Sequence, residues 1–249
     1  MSDDRVPAFS TLAIHAGAKP DPATNARATP IYQTVSYTFN DSDHAAALFG
    51  LQAFGNIYTR IMNPTQAVLE ERIAALEGGT AALAVASGHA AQVVVFHTLL
   101  SPGDEFVAAR QLYGGSINQF NNAFKSFGWQ VKWADIDDVS TFEKAITPKT
   151  KAIFVESMAN PGGIITDLSG VANIAKRAGV PLIVDNTLAS PYLIRPFEHG
   201  ADIVIHSLTK FLGGHGNSIG GIIVDGGKFN WTASKRYPML SEKRPEYNN

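Results

Sequence analysis

The sequence predicts an α/β fold: a mainly parallel β-sheet between helices, preceded by an extended N-terminal arm over residues 1–64. Three observations lead there. From about residue 65 onward, short apolar or β-rich runs alternate with helical stretches, the pattern of a sheet buried on both faces. Before that point scattered prolines and polar stretches, such as Lys19-Pro20-Asp21-Pro22 and Thr29-Pro30, show little sustained period. The chain has 249 residues, 45% of them hydrophobic, enough to bury a substantial core over residues 65–249.

The elements follow in order. Val68, Leu69, Arg72, Ile73 and Leu76 recur at helical spacing, and Gly78-Gly79 supplies a C-cap. Strands are expected at Ala82 to Ala86, Glu105 to Ala108, Gln130 to Trp133, Ala152 to Glu156, Pro181 to Asp185, Asp202 to His206 and Gly220 to Val224. A helical run, Ala90 to Leu100, follows the first of them. In open sheets of this kind ligands bind outside the carboxyl ends of the strands. Ser87-Gly88-His89, Glu156, Asn160, Asp185 and Ser207-Leu208-Thr209-Lys210 all fall there. Trp231 to Asn249 is polar and aromatic, with no closing helix or strand expected.

Composition narrows the chemistry. A formal charge of −2 gives no basic surface for nucleic acid or an anionic membrane. With no cysteine there are no disulfides, thiolate metal sites or cysteine nucleophiles, as a reducing cytoplasm permits. None of the seven histidines forms a His-x-x-x-His pair, so no metal site is expected. The polar N-terminus lacks an apolar signal core and no apolar run approaches a membrane span. A cytoplasmic protein acting on a small molecule is the expectation.

Lys210 carries the most information. An apolar strand delivers its amine into a turn with Ser207 and Thr209 before it and Gly213, Gly214, Gly216 and Gly220 after it. An amine so placed suits a Schiff base. A pyridoxal phosphate site needs that lysine, a carboxylate to keep the ring nitrogen protonated, and donors for the phosphate. Asp185 ends the run Pro181-Leu182-Ile183-Val184 and would raise the ring nitrogen's pKa; alone, it would read as a turn cap. Ser87-Gly88-His89 opens a helix whose free N–H groups favour phosphate, although small residues also cap ordinary helices. Ser207 and Thr209 could add hydroxyl donors. Tyr113 could stack on the ring and assist proton transfer, or simply pack. Asn160 suits a ring substituent, a substrate carboxylate or an ordinary turn. Arg60, with Tyr58 beside it in the arm, would be solvated or a phosphate partner.

Together, the string Tyr58 to Thr65, Leu76-Glu77-Gly78-Gly79, Ser87-Gly88, Leu112-Tyr113-Gly114-Gly115, Val184-Asp185-Asn186-Thr187 and His206-Ser207-Leu208-Thr209-Lys210 resemble the Cys/Met-metabolism family of pyridoxal-phosphate enzymes. The resemblance runs from about Thr11 to Met239. It implies the large domain of a fold type I transferase, with Lys210 as the cofactor lysine and proton shuttle. It implies further that Asp185 meets the ring nitrogen, Tyr113 stacks on the ring, and Ser87, Gly88, His89, Asn160, Ser207 and Thr209 bind the cofactor. Tyr58 and Arg60 would reach the phosphate of a neighbouring subunit, in dimers that usually pair as tetramers. His89 stands where relatives often carry Gln or Met, so only a backbone contact transfers to it.

Within the family, His15-Ala16-Gly17, Pro30-Ile31-Tyr32-Gln33-Thr34 and Asn56 to Thr65 are most similar to O-acetylhomoserine sulfhydrylases. That implies γ-replacement on O-acetyl-L-homoserine by sulfide or a thiol. Gly115 stands where methionine γ-lyases have a cysteine, which weakens that alternative; cystathionine γ-synthase activity is a second, and a cofactor-binding chain without turnover a third. The family's C-terminal domain, source of the arginine that grips the substrate carboxylate, is expected to be absent from this chain.

Overall fold

The computed structural model describes residues 7–233 and 235–243. They fall into two compact units divided between Ile73 and Ala74, with Glu242 and Lys243 belonging to the first.

The smaller unit is less extended than the sequence suggests. It contains helices α1 (Phe9–His15) and α2 (Ser42–Phe49) and most of α3 (Pro64–Glu77). Asp41 caps α2 by accepting the His44 N–H at 2.7 Å, and Leu48 is the helix's buried residue. Helices of seven and eight residues are too short for an apolar period to stand out, which is why the sequence hid them. Between them the chain is tied down by side chains. Asn63 is buried; its Oδ1 accepts the Thr65 N–H at 2.9 Å while its Nδ2 donates to the Tyr32 carbonyl at 2.9 Å. Thr65 Oγ1 in turn donates to the Pro30 carbonyl at 2.8 Å. Ser36 and Tyr58 form an isolated antiparallel bridge.

The larger unit is built on a seven-stranded sheet in the order β1-β7-β6-β5-β4-β2-β3. The strands are β1 (Ala81–Val85), β2 (Glu105–Ala109), β3 (Gln130–Ala134), β4 (Thr150–Glu156), β5 (Leu182–Asp185), β6 (Ile203–Ser207) and β7 (Gly221–Asp225). Each lies within two residues of its sequence-predicted run. The sheet is mostly parallel but mixed, because β7 runs antiparallel to both β1 and β6. Gly78, with φ of 77°, ends α3 in the left-handed conformation that glycine adopts without penalty.

The helices are α4 (Gly88–Leu99), α5 (Gly114–Asn118), α6 (Phe124–Ser126), α7 (Ser140–Ala145), α8 (Leu168–Ala178), α9 (Ser190–Leu193) and α10 (Pro238–Ser241), with a π-helical turn, Gln119–Ala123, joining α5 to α6. The core gathers Phe96 of α4, Phe106 of β2, Phe120 of the π turn, Phe124 of α6 and Phe154 of β4, all buried. Phe96 and Phe106 approach to 4.3 Å between centroids, and Phe120 meets Phe154 edge-on at 5.2 Å. Burying each phenylalanine contributes about 1.5–3 kcal/mol. This packing fixes the α5–α6 segment against β2 and β4, and so the start of α5 where Tyr113 stands.

The end of the unit departs from expectation. α10 closes it as a short helix, and Tyr237 before it is 1% exposed. Its hydroxyl donates to the Lys151 carbonyl at 2.8 Å and its ring packs edge-on against Trp231 at 5.3 Å. A single aromatic buried by a distant strand leaves no periodic trace in sequence.

Candidate active site

The carboxyl ends of β4, β5 and β6 run side by side in parallel register, with Glu156 opposite Asp185 and Asp185 opposite Ile205. Polar residues that end these strands therefore converge on one edge. A cavity of about 440 Å³ opens there, lined by Ser87, Gly88, His89, Tyr113, Asn160, Asp185, Ser207, Thr209 and Lys210 among others, all from the larger unit. Of the residues singled out from sequence, Tyr58 and Arg60 belong to the smaller unit, where the Arg60 guanidinium lies 5.3 Å from the Tyr58 ring centre.

One wall is the start of α4. Ser87 caps it in an extended conformation, its Oγ accepting the Ala90 N–H at 3.0 Å. A methyl group at Gly88 would stand 2.9 Å from Ser207 Cβ, and one at Gly221 only 2.0 Å from the Ser87 carbonyl. Glycine at both places lets the helix start press onto the ends of β6 and β7. Its first N–H groups lie beside Ser207, whose Oγ makes no hydrogen bond among the described residues. The Thr209 hydroxyl is differently engaged: it accepts the Gly220 N–H at 3.1 Å and closes the glycine-rich loop that follows Lys210.

Opposite stands Asp185. Its Oδ1 accepts both the Thr187 N–H, at 3.0 Å, and the Thr187 hydroxyl. That same hydroxyl oxygen accepts the Ser207 N–H at 2.8 Å, so Thr187 joins the ends of β5 and β6. Burial pushes the Asp185 carboxyl up in pKa, while the Thr187 bonds and the nearby His206 and His89 oppose it. Sequence reasoning gave Thr187 no role. Its position two residues after an aspartate, the spacing of an Asx-type turn, was the available signal.

Tyr113 precedes α5 with 49% of its surface exposed, its ring 5.9 Å from that of His89. The His89 Nε2 is buried with no hydrogen-bond partner among the described residues. The Tyr113 N–H donates to Glu156 Oε1 at 2.7 Å, and the Asn160 N–H donates to Glu156 Oε2 at 3.0 Å. Burial, then the neighbouring Asp185 charge, pushes the Glu156 carboxyl up to about 8 against these two donors. Sequence placed Glu156 at the strand end but assigned it no function. Gln92 and Ser116, hydrogen-bonded to each other at 2.8 Å, also line the cavity and were missed. Among the described residues no group of three or more His, Asp or Glu side chains could hold a metal ion, and no helix is long and apolar enough to cross a membrane.

Known proteins resemble this chain in sequence and fold. The chain is 54% identical to the O-acetyl-L-homoserine sulfhydrylase of Leptospira meyeri over 95% of its own length and 53% of that protein's. It is 50% identical to the homocysteine synthase of Schizosaccharomyces pombe over 96% of its length and 56% of that protein's. A crystal structure described as an O-acetylhomoserine (thiol)-lyase of Campylobacter jejuni, containing N'-pyridoxyl-lysine-5'-monophosphate, superposes with a TM-score of 0.93. It is 39% identical, covering 97% of this chain and 60% of that one. The chain thus spans about half the length of the curated relatives it matches. The sequence profile described as Cys/Met metabolism PLP-dependent enzyme matches residues 10–241, and the chain belongs to that family.

Proposed function

We propose that the protein replaces the γ-acetoxy group of O-acetyl-L-homoserine with sulfide or a thiol, giving homocysteine or methionine and releasing acetate, with pyridoxal 5'-phosphate as cofactor. The observation that carries this reading is the convergence of Lys210, Asp185 and the Gly88 helix start on one cavity. The cavity's donors fit the cofactor. The Gly88 and His89 N–H groups at the α4 start and the Ser207 hydroxyl, none with a partner among the described residues, suit a phosphate dianion. Asp185 Oδ2 takes neither Thr187 bond, so it remains for a ring N–H, and the buried, partnerless His89 Nε2 beside Tyr113 marks a wall that expects a polar neighbour.

When bound, pyridoxal phosphate supplies an electron sink conjugated to the substrate's α-carbon. Lys210 holds the cofactor covalently and, once displaced by the substrate amine, takes the proton from Cα and then assists removal of one from Cβ. Asp185 holds a proton on the ring nitrogen; burial disfavours its lone charge, so a cationic N–H is the partner that offsets that cost. Tyr113 covers a ring face and assists departure of acetate from Cγ. Asn160 binds the ring substituent or substrate carboxylate.

The working form is a homo-oligomer, in which Tyr58 and Arg60 of one subunit reach the phosphate held by another and dimers pair as a tetramer. Ile31, Val35, Phe49, Leu51 and Phe54 of the smaller unit are exposed apolar side chains of the kind a partner covers. The protein acts in the cytoplasm. Lys210→Ala should abolish turnover and the yellow, borohydride-reducible chromophore together; retention of both would overturn the reading. Product analysis with O-acetylhomoserine plus sulfide, against methionine alone, separates replacement from γ-elimination.

A further inference from the structure

Glu156 lines the cavity, yet the function proposed above gives it nothing to do. It closes β4 with 6% of its surface exposed, directly opposite Asp185 in the sheet. A carboxylate in that position is costly, because burial and a neighbouring acid both disfavour its charge. Two backbone N–H groups offset the cost, and their origin is informative. Tyr113 lies 43 residues earlier, at the entry to α5, and Asn160 four residues later, in the turn after β4. The two oxygens of one side chain therefore hold the two segments that flank the cavity.

Neither Tyr113 nor Asn160 is held by a hydrogen bond from its side chain: among the described residues the Tyr113 hydroxyl and the Asn160 amide make none, and the Tyr113 ring has only packing beside His89 and Gly115. The backbone sets where each side chain starts, and Glu156 is what the backbone N–H of each is bonded to. A glutamate serving only to end a strand would need neither burial nor two partners on separate segments.

We propose that Glu156 is a positioning residue that seats the Tyr113 ring and the Asn160 side chain around the cofactor by accepting both backbone N–H groups on the two oxygens of one carboxyl group. The inference rests on the cavity being the pyridoxal phosphate site. Glu156→Gln is the informative substitution. It keeps the shape and one acceptor oxygen but turns an NH₂ toward a backbone N–H, so one of the two contacts is lost.

The readout is the visible circular dichroism of bound pyridoxal phosphate, normalised to the cofactor trapped on Lys210 by borohydride, since that band reports how asymmetrically the ring is seated. Glu156→Gln should lower the normalised band severalfold while trapping continues. Tyr113→Ala should lower it comparably, and the double substitution no further, as expected for residues that act through one another. If Glu156→Gln does not fold, Glu156→Asp, which withdraws the carboxylate by one methylene, carries the same comparison. A normalised band equal to wild type in the variant, or additive losses in the double variant, would overturn the inference. Failure of the cofactor reading itself would show separately, as wild-type protein that traps no pyridoxal phosphate.

Discussion

Glu77 and His206 meet in a pair that no solvent reaches: the last residue of α3 places Oε1 against Nε2 of the residue preceding Ser207 on β6, and both are 0% exposed. The same Oε1 accepts the Asn186 Nδ2–H at 2.9 Å, and Asn186 Oδ1 accepts the Ser157 hydroxyl at 2.7 Å. One buried carboxyl group thus links the ends of β5 and β6 directly and that of β4 through Asn186. Removing it strips the buried His206 Nε2 of its partner and leaves the Asn186 amide only the Ile194 carbonyl, at 3.0 Å.

Glu77→Ala should accordingly cost about 1–3 kcal/mol of stability, the range for leaving a buried polar group without its hydrogen-bond partner. Urea denaturation measures this directly. A cost below about 1 kcal/mol would mean that the strand ends hold themselves.

The cofactor-free protein should lose stability as pH rises from weakly acidic to weakly alkaline. Glu156 sits at about 8 against an ordinary 4.5, and Asp202 at about 6 against 3.8, both chiefly through burial. With folded values raised, the native state keeps protons that the unfolded chain releases. Stability is full below the ordinary values and is lost as pH passes the raised ones. Melting temperatures should fall between about pH 4 and 8; Glu156→Gln should flatten the upper part of that slope and Asp202→Asn the lower part. An unchanged slope in both variants would contradict the assignment.

Gly88→Ala should damage cofactor binding more than folding. The added methyl would press on Ser207 Cβ at 2.9 Å, so the start of α4 must lift from the end of β6. Overpacking of this kind costs about 1–3 kcal/mol. Gel filtration followed by absorbance should find the variant folded but depleted of pyridoxal phosphate; full retention would mean the helix start is not the phosphate cradle.

Gly115→Ala should act through Tyr113. The new Cβ would lie 2.3 Å from Tyr113 Cε1 and 2.9 Å from His89 Cε1, so the tyrosine ring has to swing away. Misplacing a group at the reacting centre by about 1 Å can cost about a hundredfold in rate. Steady-state kinetics should show kcat falling with cofactor retained, and an unaltered kcat would remove Tyr113 from the chemistry.

The sheet was legible because its strands are apolar runs punctuated by Gly, Pro and polar turns, and punctuation survives in a single sequence. Lys210 and Asp185 were legible because each ends such a run. The antiparallel placement of β7 was not, since hydrophobicity says which residues are buried but not which neighbour they pair with. Glu77 was hidden for a related reason. Beside Gly78-Gly79 it looks like a solvated residue at a helix end, and only the docking of α3's last turn against β6 buries it. Glu156 was visible as a strand terminus, but its partners lie on two separate segments and so left no local pattern.

The parallel pairing of β5 with β6 is, finally, a ruler. Asp185 stands opposite Ile205, two residues before Ser207 and five before Lys210. Moving β6 by a single residue would reverse which of its side chains face each way and carry the amine out of step with the carboxylate. Insertions between Leu188 and Ala201, beyond the Thr187 tie, alter a connection, whereas one inserted residue inside either strand would reset the spacing of the amine and the carboxyl group. Variation in length along this stretch of the chain should therefore gather in the connecting segment and spare the strands.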